Sequence, residues 1–90
     1  MMNQKMYVVT EVDISEGSTY VPTVRGIYQT YTAAKDNAVV LLCGKAAYHD
    51  IPESQVDANA LHLSNDSGTI AFQFGITEVE MELVPVFNVR

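Results

Sequence analysis

The residues Thr77-Glu78-Val79-Glu80-Met81-Glu82-Leu83 alternate without a break between polar and apolar side chains. A β-strand turns successive side chains to opposite faces, whereas a helix would scatter these glutamates around its axis, so the run demands a strand and hence a sheet. The alternation predicts Val79, Met81 and Leu83 pointing to a core, with Glu78, Glu80 and Glu82 as a comb on the solvent face.

Partners for that strand lie upstream. From Lys5 to Ile14 the chain alternates again, with Met6, Val8, Val12 and Ile14 on one face and Tyr7, Val9, Glu11 and Asp13 on the other. Ser15-Glu16-Gly17-Ser18 is a turn cluster, and an extended segment from Thr19 to Tyr28 closes a first hairpin. Pro22 cannot donate to a ladder, which puts this segment at an edge, and Gly26 signals a bulge or a close backbone approach. A second hairpin runs from Leu61 and Leu63 through Asn65-Asp66-Ser67-Gly68 to Ile70, Phe72, Phe74 and Ile76, then passes Gly75 into the comb strand. Pro85 and the apolar tail residues Val86, Phe87 and Val89 follow it.

Between the hairpins, Thr30 can cap a helix on which Tyr31, Ala34, Ala38, Leu41 and Leu42 recur at helical spacing, with Gly44 and Lys45 as its stop. A buried strand over Ala38 to Cys43 competes with this reading, but the cap, the alanines and the glycine agree on a helix. Asp50-Ile51-Pro52-Glu53 has the form of a second helix start, capped by Asp50 and running to about Asp57. The order β-β-α-(short α)-β-β-β predicts an α+β fold: one domain over residues 1–90, a mostly antiparallel sheet, and the main helix packed on one face.

Ninety residues, 48% of them hydrophobic, suit one core with little room for a deep enclosed site, and a compact chain of this length has a radius of gyration of about 12 Å. Eleven acids against five bases give a net charge of −6, which opposes binding to nucleic acid or to an anionic membrane. Cys43 is the only cysteine, so an intrachain disulfide and a cysteine-rich zinc site are excluded. The start Met1-Met2-Asn3-Gln4-Lys5 shows no secretion signal, and the longest apolar run, Ala38 to Cys43, is far short of a membrane span. The expectation is a cytoplasmic protein.

Catalysis would require a nucleophile, a base and an orienter in one place. Cys43, read as a small buried hydrophobe at a helix end, and His49, His62 and the serines offer no such set, so no enzyme activity is expected. His49 reads as a loop or capping residue, and His62 faces away from Leu61 and Leu63. Cys43, His49, Asp50 and His62 match no zinc or calcium spacing, and neither a metal nor another cofactor is expected.

Two binding surfaces remain. Glu78, Glu80 and Glu82 stand about 6.8 Å apart on one strand face, which reads either as the solvated outer face of an amphipathic strand or as a docking stripe for lysine and arginine that Glu11 and Asp13 extend if the first and last strands are neighbours. As a mimic of duplex DNA the comb is sparse, with roughly a quarter of the axial phosphate density, though it can fill part of a basic channel. The alternative is a nucleotide-like ligand sequestered in a groove lined by Tyr20, Tyr28 and Tyr31, between subunits of a homodimer formed through the edge near Pro22 and the apolar tail.

Tyr7-Val8-Val9-Thr10-Glu11, then Gly26-Ile27-Tyr28 leading to Tyr31-Thr32-Ala33-Ala34-Lys35, and the final Glu78-Val79-Glu80-Met81-Glu82-Leu83-Val84-Pro85 together resemble the layout of small phage or mobile-element accessory proteins. The resemblance covers about half of the chain. It implies an inhibitor of a bacterial defence or host enzyme, of the anti-CRISPR type, whose partner would be a larger bacterial protein with a basic surface. It assigns no site residues.

Overall fold

A computed structural model describes residues 2–83; the expectations for Pro85, Val86, Phe87 and Val89 fall outside them. The elements are β1 (Met2–Asp13), β2 (Pro22–Tyr28), α1 (Tyr31–Tyr48), a 3₁₀ turn (Glu53–Gln55), β3 (Val56–Asp57), β4 (His62–Ser64) and β5 (Ala71–Leu83). The five strands form one antiparallel sheet in the order β2-β1-β5-β4-β3, with α1 on one face, which is the α+β architecture expected from the sequence.

Thr30 starts α1: its Oγ1 accepts from the backbone N–H of Ala33 at 3.1 Å, satisfying a donor that the first turn leaves free. Ala34, Ala38, Leu42 and Ala46 then recur every fourth residue as one buried row, and three alanines in that row let the helix axis approach the sheet closely. Gly44 does not stop the helix. The stop lies six residues on, where Asp50 takes a left-handed φ of 56°, its N–H bonds Ala47 O and the Ile51 N–H bonds Ala46 O at 2.8 Å. This double closure is a Schellman motif, and buried Ile51 seals it. Asp50 therefore closes one helix instead of capping another, and the expected second helix reduces to the 3₁₀ turn, flanked by Pro52 without a side-chain cap.

β2 is an edge strand and contains Pro22, as its missing donor requires. Its register with β1 slips between Val9–Gly26 and Thr10–Val24, leaving Arg25 as the extra residue of a bulge. Gly26 lets the Tyr28 ring lie against the backbone there: a Cβ would stand 2.5 Å from the Tyr28 hydroxyl and the ring would have to shift.

The core lies between α1 and the sheet, with Val9, Leu63, Phe72 and Phe74 rising to meet Ala34, Ala38 and Leu42. Phe72, Phe74 and Ile76 share a parity, and Val79 and Met81 have the other. The β1–β5 pairing runs from Met2–Leu83 to Asp13–Phe72 without a slip, so these two sets face opposite sides. Val79 and Met81 thus do not point into the core as the alternation of the comb strand alone predicts. They lie on the face away from α1, where Met81 is 45% exposed.

The β1–β5 pair also outruns its neighbours. β2 joins β1 only from Tyr7 onward, and β4 reaches β5 only at Ala71 to Gln73, so among the described residues Asn3–Met6 and Val79–Glu82 form a two-stranded arm with no strand on either flank. The radius of gyration of 16.4 Å exceeds the compact expectation because of this extension.

Candidate functional site

The comb residues sit on the arm. Across the ladder Glu78 stands opposite Tyr7, Glu80 opposite Lys5 and Glu82 opposite Asn3, all on the side of the sheet that carries α1 but beyond the helix. All three glutamates are exposed. Lys5 Nζ lies 3.7 Å from Glu78 Oε2, with both side chains more than half exposed, and Asn3 Nδ2 donates to Glu80 Oε1 at 3.5 Å. Exposed contacts of this length add little stability, so these carboxylates can exchange them for a partner's cations at small cost.

β1 and β5 are neighbours, and Glu11 and Asp13 do share the comb's face, yet neither extends it. Glu11 is 8% exposed beneath α1, and both of its oxygens are engaged: Oε1 accepts from the bulge residue Arg25 at 2.5 Å, and Oε2 pairs with Lys45 at 2.9 Å. Lys45 also lies 4.8 Å above the ring of Phe72. Glu11 is thus a clamp tying β1, β2 and α1 together, at the side of an open cleft of about 320 Å³ lined also by Val40, Leu41, Gly44 and Tyr48. Asp13 lies six residues along β1 from Tyr7, about 20 Å away, and its Oδ1 accepts from the Ser15 N–H at 2.9 Å to shape the following turn.

The three tyrosines of the alternative groove are not brought together. Tyr28 pairs across from Tyr7, whose ring meets that of Tyr31 edge-on at 6.1 Å. Tyr20, with a φ of 57° and 60% exposure, lies two residues before the opposite end of β2, a strand that itself spans about 20 Å from Pro22 to Tyr28.

Cys43 is exposed on α1, because the helix continues past Gly44 and turns this position outward; it is not the buried hydrophobe expected at a helix end. His49 is the C-cap of α1, its ring meeting Tyr48 edge-on and lying tilted against Phe72. His62 alternates with Leu63 and lies on the face away from the core. Among the described residues no three His, Cys, Asp or Glu side chains are arranged to hold a metal ion, and no helix is long and apolar enough to cross a membrane.

Sequence reasoning missed the Arg25–Glu11–Lys45 clamp. Its only local signal is the bulge glycine beside Arg25, since the three residues come from three separate elements. Comparisons with protein-family models, with curated proteins and with solved structures find no match for this chain.

Proposed function

We propose that this protein acts by binding and not by catalysis, docking the acidic row Glu78, Glu80 and Glu82 on a basic site of a larger protein, of the kind that otherwise holds nucleic acid. The observation that supports this reading is the position of the row: three exposed carboxylates on one face of an arm that, among the described residues, projects beyond its neighbouring strands. A net charge of −6 steers the chain toward basic surfaces and away from nucleic acid itself. The resemblance to phage accessory proteins favours a bacterial defence or host enzyme as the target, and its inhibition as the outcome.

The test compares the natural chain with the triple variant Glu78→Lys, Glu80→Lys, Glu82→Lys, each immobilised and exposed to bacterial lysate. Because the three positions are exposed, the variant should melt like the natural protein. The expected result is a basic protein retained by the natural chain, released by excess heparin and absent from the variant. Equal retention by both would remove the reading.

A further inference from the structure

The opposite face of the sheet carries an independent feature. In β1, β2 and β5 every charged residue belongs to the α1 side: Lys5, Glu11, Asp13 and the three comb glutamates by register, and Arg25 through its bond to Glu11. The face turned away from α1 displays Val8, Val12, Val24, Ile27, Val79 and Met81, with only uncharged residues between them. Val24 is 59% and Ile27 53% exposed. In a chain with a net charge of −6, a charge-free face across three strands is the signature of a surface that is itself covered.

We infer that this face packs against the same face of a second copy, sheet on sheet, to give a four-layer homodimer with the helices outermost. At about 3.4 Å per residue and about 4.8 Å between strands, the 12, 7 and 13 residues of β1, β2 and β5 span about 500 Å² in plane. Side-chain relief raises this toward the ~800 Å² per partner of a standard interface. A second acidic copy can approach here because neither sheet brings a charge to the contact, while all the charges of these strands remain on the outer sides.

Other modes of cover fit less well. Edge-to-edge pairing is blocked at β2 by Pro22 and the Arg25 bulge, and at the other edge β3 has only two residues. Residues 84–90, leaving from the arm tip where Met2 pairs with Leu83, span at most about 25 Å. Val24, opposite Thr10, lies about 27 Å along β1 from Met2 and stays out of their reach. The face ends at β4 and β3 in polar residues, His62 and Asp57, as an interface core ends in a rim. The dimer leaves the comb free, so this inference goes beyond the binding reading and does not depend on it.

Sedimentation velocity from micromolar to submillimolar concentration tests it. The natural chain should sediment at twice 9.9 kDa. The pair Val24→Lys with Ile27→Lys, at positions exposed in the single chain, should keep the fold by circular dichroism and weaken dimerisation at least about 100-fold, since each lysine would be buried unpaired. Glu80→Lys, on the other face, should remain dimeric. If the lysine pair fails to fold, Val24→Thr with Ile27→Thr decides, and must weaken the dimer measurably. A natural chain of 9.9 kDa throughout overturns the inference, whether the face is then bare, covered by residues 84–90 or kept for a different protein. Unchanged dimerisation in the folded variants overturns it equally.

Discussion

The two ends of the β1–β5 ribbon are made of the same two strands, paired in one unbroken register, and differ in what stands above them. At one end Val9, Phe74 and Phe72 lie under α1, essentially without solvent contact, and even Glu11 is buried and doubly paired. At the other end, on the same face, Lys5, Glu78 and Glu80 meet no helix among the described residues, and the contacts they make there are exposed. Alternation makes a strand, but burial comes from the element packed on it. The covered end holds the fold together, and the bare end is available for binding.

The largest effect should separate these ends most sharply. Phe74→Ala removes a ring that is 1% exposed and should cost about 3–5 kcal/mol in urea denaturation. Met81→Ala on the arm should cost less than about 0.5 kcal/mol when measured at dilutions where the chain is monomeric. Comparable losses at the two sites would break the comparison.

Two glutamates on one face provide the next contrast. Glu11→Ala leaves Arg25 and Lys45 facing each other beside the core. Their side chains are 37% and 27% exposed, so water repays part of the loss, and the expected cost is about 2–3 kcal/mol, below that of breaking a fully buried pair. Glu80→Ala should change stability by less than about 0.5 kcal/mol. A thermal melt of each variant is sufficient, and an equal shift would place the clamp among ordinary surface contacts.

α1 touches only the covered end, so changes in its intrinsic stability should alter folding without altering the arm. Thr30→Ala removes the cap and should cost about 1 kcal/mol. Gly44→Ala should instead gain about 0.5–1 kcal/mol, because a Cβ there meets nothing within 4 Å and the backbone is already helical. Neither substitution should change how the comb is retained by a basic partner.

What the sequence revealed follows the same division. Four of the five strands, both hairpins, the Thr30 cap, the edge position of Pro22 and the bulge at Gly26 were legible, because each depends on a local rule of spacing or backbone geometry; β3 was not, since Val56 and Asp57 pair with β4 inside the stretch read as a short helix. The face of the comb strand was misread although its signal was present. Phe72, Phe74 and Ile76 occupy even positions and Val79 and Met81 odd ones, so without a bulge between them the apolar stripe must cross from one face to the other. Gly44 misled as a stop because a tertiary row of alanines carries α1 onward to Asp50, a residue that tolerates the left-handed turn in glycine's place. The Glu11 clamp was not legible, since ion pairs between separate elements leave no periodic trace.

The smallest effect concerns acid, and it too belongs to the covered end. The nearby Ser15 side chain, and then the Ser15 backbone N–H that donates to its Oδ1, hold the Asp13 carboxyl below its ordinary value of 3.8; desolvation opposes this, and Lys45 and His49 add attraction. A carboxyl whose folded pKa is depressed contributes stability that is fully present above its unfolded value and lost as pH falls through the folded one. The contribution of Asp13 should therefore be constant at neutral pH and fade only below about 3.8. Asp13→Asn keeps an acceptor for the Ser15 N–H but cannot titrate, so its stability should fall less steeply than that of the natural chain over that acid window. Parallel acid profiles for the two proteins would show that the turn, and not the charge, is what Asp13 supplies.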